Sequence, residues 1–473
     1  MHTDPQGLPL SGASGAGAAL FTTALDEMLR FKPALFDSLD AAIAESPGFA
    51  LPYVSKAYFH LFMTEPGPVA EARALLAALR RNVKLDALSE RERGHLAAAE
   101  AWAAGDLRRA ADVLDEVNVA APRDVLALRL GHELDFFIGN TRNLRDRVAR
   151  ALSAWSVDDP HYGFVLACYA FGLEENGHYE RAEECARRAV ELHPDDVWGV
   201  HAGAHTFEMR GRLADGVRFM REAQAGWSDG NLFAVHNWWH YAMYHLDAGA
   251  YDDVLEIYDR TLFNERSPRF ALVLLDGTSM LWRLQLEGVD VGARWRALAD
   301  AWSEILPAEP FYVFNDMHAA MAYVGAGRVA EADALVARIE KYLARGDRTA
   351  TTYAMAERAG HPVCRAIAAF GRGRYAAAAE LLFAVRMRAN EFGGSHAQRD
   401  VLDRTLIEAA TRAGRFDLAR ALASERQHLR PENPYGWSNA VRAARAAGDE
   451  AGARAAEQRT EALRAEFRRR VGR

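Results

Sequence analysis

The stretch GHYERAEECARRAVELHP, residues 177–194, decides the fold. Gly177 opens a turn, an aromatic residue starts a helix, three alanines follow at spacings of four and three residues, and Pro194 ends the unit. Alanines at that spacing share one helix face, where their small size lets a neighbouring helix approach closely. A glycine before such a helix and a proline after it mark its boundaries. The stretch therefore predicts the second helix of a helical hairpin.

The same signature returns along most of the chain. Turn glycines recur every 34 to 46 residues, at Gly67, Gly105, Gly139, Gly177, Gly211, Gly249, Gly288, Gly327, Gly373, Gly414 and Gly448. Repeats of this length bury their apolar faces only against their neighbours, so they stack. We therefore predict an all-α, tetratricopeptide-like helical-hairpin solenoid, a right-handed superhelix of about eleven helix pairs.

Domain organisation follows from the repeats. Residues 1–19 are rich in Gly, Ala and Ser, which predicts a flexible N-terminal lead-in. Residues 20–473 are predicted to form one continuous solenoid, because stacked repeats need not divide into separate cores. A polar C-terminal helix, residues 449–470, is typical of a cap whose outer side meets water. The longest repeat has a surplus around residues 345–360, which we interpret as a surface insertion.

Composition limits the classes of partner and the compartment. The formal net charge of −8 argues against nucleic acid as a partner, since phosphate binding depends on clustered Lys and Arg. No stretch reaches eighteen uncharged apolar residues and no secretory signal begins the chain, so we expect a cytoplasmic protein that does not enter a membrane. Three cysteines without a CxxC pair indicate neither a disulfide framework nor a thiolate zinc site.

Histidines on one predicted helix mark the first candidate site. His201, His205 and Glu208 lie within about 60° of arc on one helix face, because their spacings are four and three residues. Counted back from the turn at Gly211, these places usually line the concave groove of tetratricopeptide repeats. We therefore expect all three side chains to project into that groove.

The next repeat carries a second histidine pair. His236 and His240 are four residues apart, and Trp239 stands beside them. Two HxxxH pairs on neighbouring helices could supply nitrogen ligands to zinc, but neither has the inner glutamate of HExxH. Alternatively the histidines hydrogen-bond to neighbouring polar groups, contact a ligand directly, or act in acid/base catalysis. We assign no metal and no cofactor.

Two later segments add candidate ligand contacts. Asp316 and His318 open a helix, and His318 has the same repeat position as His240, although the helix dipole explains an N-terminal aspartate equally well. The segment GGSHAQRD, residues 393–400, is a capping box at a helix start. Its alternative role is anion binding, with Arg399 and Asp400 beside a helix N-terminus.

Several stretches resemble the tetratricopeptide repeat protein 38 family. They are residues 161–192, 200–212, 234–259, 279–295, 314–322 and 393–400, and the likeness spans nearly the whole chain from LFTTALDEMLRF onward. The resemblance implies an all-helical repeat fold in the cytosol and names no defined reaction. It maps the family's histidine-bearing and QRD segments onto His201, His205, His236, His240, His318, Gln398, Arg399 and Asp400.

Two functions remain open from the sequence. The first is a binding scaffold that presents its histidine-rich concave groove to a peptide or protein partner, as helical repeats commonly do. The second is a small-molecule-binding protein or an enzyme, in which the His/Glu/Asp/Arg set takes a small polar or anionic ligand, binds metal, or performs acid/base chemistry. No nucleophile motif accompanies these residues, so no reaction is assigned.

Overall fold

The protein is described by a computed structural model that covers residues 2–472. Apart from one two-stranded pair, β1 (His2–Thr3) and β2 (Pro9–Leu10), the regular structure of the described residues is helical. Successive helices pack as antiparallel hairpins joined by short turns, as tetratricopeptide repeats do. The predicted fold class, an all-α tetratricopeptide-like solenoid, is confirmed.

The α-helices follow one another with few breaks. Their bounds are α1 (Gly15–Leu29), α2 (Leu35–Glu45), α3 (Ala50–Phe62), α4 (Pro66–Asn82), α5 (Glu90–Ala103), α6 (Leu107–Ala120), α7 (Val125–Phe137), α8 (Thr141–Ala151), α9 (Tyr162–Glu174), α10 (Tyr179–Leu192), α11 (Val197–Met209), α12 (Leu213–Glu222), α13 (Gln224–Trp227), α14 (Ala234–Asp247), α15 (Tyr251–Ile257), α16 (Ala271–Leu286), α17 (Arg294–Ile305), α18 (Val313–Gly325), α19 (Val329–Arg345), α20 (Thr351–Met355), α21 (His361–Gly371), α22 (Tyr375–Val385), α23 (His396–Arg412), α24 (Phe416–Leu429), α25 (Pro434–Ala446) and α26 (Glu450–Val471). Short 3₁₀ helices (Leu85–Ala87, Leu152–Ala154, Arg386–Phe392) and π-helical turns (Tyr258–Leu262, Ala356–Gly360) supplement them.

The turn glycines do what their spacing predicts. Gly177 has φ +77°, a left-handed conformation that only glycine adopts without strain. The following N–H, of His178, donates to the carbonyl of Leu173, which closes the helix end in a Schellman-type arrangement. Positive φ recurs, between 66° and 89°, at Gly105, Gly139, Gly211, Gly249, Gly288, Gly327, Gly373, Gly414 and Gly448.

Gly67 is the exception among the expected turn glycines. It lies in the first turn of α4, after Pro66, and not in the turn before that helix. The left-handed residue of that turn is Thr64, with φ +58°. The register of the first repeat was therefore misplaced by a few residues, because a proline at the start of a helix and a glycine beside it also resemble a turn.

The chain forms two compact units. Unit 1 contains residues 1–203, 225–234 and 347–354, and unit 2 contains residues 204–224, 235–346 and 355–473. Helix α11 belongs to both, since the division falls between Gly203 and Ala204. The prediction of one continuous solenoid over residues 20–473 stays a prediction.

Unit 1 begins with an ordered hairpin where the sequence predicts a flexible lead-in. Strands β1 and β2 pair antiparallel, and α1 already begins at Gly15. The Ser11 N–H donates to Glu92 Oε1 (2.8 Å), and the Gln6 side chain bonds His161 Nδ1 (2.7 Å). Hydrogen bonds to residues more than eighty positions away in the sequence hold this segment, so its local composition does not reveal them.

Residues 347–354 also pack differently from the surface insertion that the sequence suggests. Thr351 is buried, and its Oγ1 accepts the N–H of Arg108 and bonds Asp106 Oδ1, both at 3.2 Å. This part of the surplus is therefore built into unit 1 and covers the start of α6.

Unit 2 ends in α26, whose buried side chains recur at helical spacing on one face (Ala453, Ala456, Thr460, Leu463 and Phe467). The rest of that helix is largely exposed, as expected for the last helix of a repeat array. None of the helices in residues 2–472 has the length and apolar content needed to cross a membrane.

Candidate functional site

A cluster of histidines and carboxylates lies inside unit 2, where α11, α14 and α16 pack together. His205 and Glu208 come from α11, and His236 and His240 from α14. All four were predicted from the sequence, and the structure brings them together. The repeat architecture places them there, because equivalent positions of successive first helices stack side by side.

Asp276 of α16 completes the first of two imidazole–carboxylate pairs. His236 Nδ1 lies 3.0 Å from both carboxylate oxygens of Asp276. A carboxylate oxygen accepts, so the His236 Nδ1–H donates to Asp276. The Asp276 side chain is 1% exposed and the His236 side chain 15%, so His236 is the member of this pair that lies nearer to solvent.

The second pair joins His240 to Glu208. His240 Nδ1 lies 3.1 Å from Glu208 Oε2, and both side chains are almost fully buried. Burial, followed by the charges of His205, His236 and Arg283, lowers the pKa of His240 well below its ordinary value, so the imidazole is neutral. Burial also raises the pKa of Glu208 to about 7. Among the described residues, nothing hydrogen-bonds to Glu208 Oε1.

The imidazole rings contact one another directly. The His205 and His240 ring centroids are 4.3 Å apart, and those of His236 and His240 are 4.9 Å apart. Trp239 stacks on His236 and donates its Nε1–H to Ser279 Oγ at 2.8 Å. Three imidazoles, two carboxylates and one indole thus form a continuous polar group within an apolar core.

Arg283 of α16 borders this group. Its guanidinium lies 5.2 Å from the Trp239 ring centroid, and it donates to the backbone carbonyls of Ser279 and Ala397. Burial lowers the pKa of Arg283 to about 10, which still leaves it charged at neutral pH. A fixed positive charge beside the imidazoles disfavours their protonation.

His201, one turn before His205 on α11, belongs to unit 1. Its ring packs against Phe171, Trp198 and Phe233 of the same unit, with centroid distances of 5.3, 4.6 and 5.1 Å.

Asp316 and His318, both on α18, have separate partners. Asp316 forms an ion pair with Arg338, and burial nevertheless raises its pKa to about 6. His318 Nδ1 lies 2.9 Å from the Phe314 carbonyl oxygen, and burial lowers its pKa to about 4. Each side chain is thus engaged within its own repeat.

Asp400 belongs to a second buried polar group of unit 2, rich in arginine. It pairs with Arg404 and Arg426, both at 2.6 Å, and Arg404 also bonds Asp247 at 2.6 Å. Burial acts to raise the pKa of Asp400, but Arg426, Arg404 and Arg430 together lower it well below its ordinary value. Every charge here has a counter-charge from the chain itself, which is typical of a structural network.

Arg399 differs from its neighbour because it is half-buried and donates to the Gly394 carbonyl. The capping box expected at this helix start is confirmed, with Ser395 and Gln398 bonding each other's backbone N–H. The structure thus engages the GGSHAQRD segment in helix capping and buried ion pairs.

Burial separates these residues from the expected groove. His201, His205, Glu208, Trp239, His240, Asp316 and His318 are each no more than 3% exposed. A side chain that faces an open groove would retain far more exposure. These seven side chains are therefore buried within their units.

The sequence analysis missed Asp276 and Arg283. Both lie within the apolar run ALVLLDGTSMLWRLQL of α16, and that signal was available: charged residues in an otherwise buried helix are rare unless they are paired. Asp276 pairs with His236, 40 residues away, and Arg283 bonds the Ala397 carbonyl, 114 residues away. Only the packing of helices reveals these partners.

A search against models of protein families finds no match. Similar solved structures are helical-repeat proteins. The human IFIT1 dimer with m7Gppp-AAAA matches with a TM-score of 0.40 and 16% identity, over 94% of this chain and 94% of that chain. The P58(IPK) TPR domain matches with a TM-score of 0.22 and 12% identity, over 81% of this chain and 99% of that chain. Naa15/Naa10 bound to HypK-THB matches with a TM-score of 0.24 and 14% identity, over 92% of this chain and 67% of that chain.

The helical hairpins of residues 2–472 themselves give this chain a tetratricopeptide-like fold. The expectation that nucleic acid is excluded as a partner is contradicted by these neighbours, since the human IFIT1 structures hold capped or triphosphate RNA. A net charge summed over the whole chain says nothing about local basic patches, which is why −8 was a poor ground for exclusion. We withdraw that exclusion.

Proposed function

We propose that this protein binds a small ligand at the buried histidine–carboxylate cluster of unit 2, as a small-molecule-binding protein or an enzyme. One observation carries the proposal: three imidazoles and two carboxylates from three helices converge in the interior. Convergent polar groups in an apolar surround are the usual composition of a small-ligand site.

The peptide-presenting groove has less support. Peptides bound to helical repeats contact side chains on the surface, and His205, Glu208 and His240 are at most 1% exposed. A small ligand enclosed by the cluster would contact them without an exposed groove. The cluster also exceeds what stability requires, because apolar side chains of similar size would pack as well and avoid burying charge.

We also propose a specific family and a cellular compartment for this protein. The stretches quoted above support membership of the tetratricopeptide repeat protein 38 family, and the absence of cysteine pairs supports a cytoplasmic location. Neither identifies the reaction.

The test is a ligand screen by thermal denaturation of the full chain. The probes are small carboxylic acids, phosphates, amino acids and nucleotides, together with capped and triphosphate RNA tetranucleotides. A ligand that binds the folded state raises the melting temperature. We expect small polar compounds to do so, and the shift to disappear in His240→Asn.

His245→Asn is the matched control. His245 lies on the same helix, is buried, and pairs with Asp253 at 3.3 Å, but it is not part of the cluster. The control should keep the full shift. Stabilisation by the RNA tetranucleotides alone, or by ligands whose effect survives His240→Asn, would reject the proposed function.

A further inference from the structure

We propose that His205, His236 and His240 bind a divalent first-row transition metal ion, with Asp276 and Glu208 holding two of the imidazoles in position. The proposal deepens the proposed function, because the ion would be part of what the same cluster binds. The sequence alone did not favour it, since paired histidines four residues apart are common on helices.

Distance is the first support. One nitrogen from each of the three histidines lies within 4.8 Å of the others. Nitrogen ligands about 2.0–2.1 Å from Zn²⁺ in a tetrahedral site are about 3.4 Å apart. Small rotations of the three side chains would therefore close the site around an ion.

The carboxylate pairs are the second support. Imidazoles that ligate a metal almost always donate their other N–H to a carboxylate or carbonyl, which fixes the tautomer and the ring orientation. His236 and His240 each engage a carboxylate through Nδ1, at 3.0 Å to Asp276 and 3.1 Å to Glu208. A metal ion would therefore be held through Nε2 of each ring.

Charge balance is the third support. Glu208 is buried, and its Oε1 has no hydrogen-bond partner among the described residues. Burial makes an ionised carboxylate costly, and a cation beside it favours the ionised form. A metal ion at the imidazoles would supply that positive charge and leave Oε1 available as a further ligand.

The donor set identifies the class of ion. Neutral imidazole suits Zn²⁺, Fe²⁺, Ni²⁺ and Cu²⁺, whereas Mg²⁺ and Ca²⁺ need oxygen ligands. Three imidazole ligands leave at least one coordination position, which Glu208 Oε1, water or a substrate could occupy. The site is therefore suited to activate a bound molecule.

The experiment uses the full chain without an affinity tag, stripped with a chelator and then titrated with Zn²⁺ and with Co²⁺. We expect about one equivalent of each to bind, with the visible bands of Co²⁺ reporting nitrogen coordination. His236→Gln should abolish stoichiometric binding. Asp276→Asn, which keeps the three imidazoles, should weaken binding about 10- to 100-fold.

Controls separate loss of a ligand from loss of fold. His245→Gln on the same helix should bind as the wild type does, and circular dichroism should be unchanged in all variants. His236 tolerates replacement best, because its side chain is the most exposed of the three. Less than about a tenth of an equivalent in the wild type, or equal loss in His245→Gln, would overturn the proposal.

The two proposals can fail separately. If the protein binds the metal ion but no small organic ligand stabilises it, the metal site stands and the proposed small-ligand site is rejected. A stripped protein that still binds a small ligand through His240, and takes up neither Zn²⁺ nor Co²⁺, would refute the ion alone.

Discussion

Two buried imidazole–carboxylate pairs, one in each unit, contrast in how completely the chain satisfies them. In unit 1, His95 Nε2 lies 3.0 Å from Asp124 Oδ2, which also pairs with Arg91 at 3.1 Å. The other oxygen of Asp124 accepts the Ala127 N–H at 2.9 Å and caps α7. Burial acts to raise the pKa of Asp124, but His95 and Arg91 lower it below its ordinary value.

The unit 2 pair, His240 with Glu208, has no such completion. One oxygen of Glu208 bonds the imidazole, the other has no partner among the described residues, and burial raises the pKa to about 7. An imidazole and a carboxylate thus form a fully hydrogen-bonded, finished pair in unit 1 and, among the described residues, an incompletely bonded, unfinished pair in unit 2. An unfinished buried pair marks the place where a ligand is expected.

The largest effect should come from breaking the finished pair. Asp124→Ala leaves His95 buried without its carboxylate, leaves Arg91 with Asp4 alone, and removes the cap of α7, so we expect a loss of about 3–5 kcal/mol in stability. Urea denaturation followed by circular dichroism measures it. A loss below about 1 kcal/mol would mean that the pair is not structural.

The second largest effect should be stabilisation of the folded protein by a metal ion bound beside the unfinished pair of unit 2. A ligand that binds only the folded state adds about 2.7 kcal/mol at a hundred times its dissociation constant. We expect Zn²⁺ to raise the melting temperature of the wild type and of Asp124→Asn, but not of His236→Gln. An equal rise in His236→Gln would place the ion elsewhere.

The next largest effect should be that of acid pH on the finished pair of unit 1. The pKa of Asp124 lies below its ordinary value of 3.8, so its contribution is complete above about pH 4 and is lost as the pH falls further. Relative to the wild type, Asp124→Asn should therefore be less stable at pH 7, with the difference narrowing below about pH 4. Unfolding measured at both pH values tests this. A difference that stays constant would mean that Asp124 is not ionised in the folded protein.

The smallest effect should be Glu208→Gln. The amide oxygen can still accept the His240 Nδ1–H, and the buried charge is removed, so we expect a change of less than about 1 kcal/mol in stability. Thermal denaturation of the metal-free protein measures it. A loss as large as that of Asp124→Ala would show that the chain itself satisfies Glu208, and the contrast between the units would disappear.

The helices and their turns were predictable because their causes are local. Ten of the eleven expected turn glycines have positive φ, and only Gly67 fails, where a neighbouring Pro66 starts a helix. The capping box at Ser395 and Gln398 was also predictable, since it needs only residues three apart. The ordered hairpin at residues 2–10 was not, because contacts with distant residues such as Glu92 hold it.

The site was predictable in part. His205, Glu208, His236 and His240 share a cluster because the repeat frame places equivalent positions of successive helices side by side. Asp276 was missed, since its pairing with His236 spans 40 residues and depends on how α14 and α16 pack.

The sequence by itself determined the repeat architecture and which helix faces carry imidazoles, because helical periodicity and the conformation of glycine act within a few residues. The tertiary structure alone decided that those faces are buried and that two imidazoles acquire carboxylate partners. It also decided that one oxygen of Glu208 has no hydrogen-bond partner within residues 2–472. Burial and pairing depend on the distance between helices that lie a repeat apart, and a pattern read along one helix does not contain that distance.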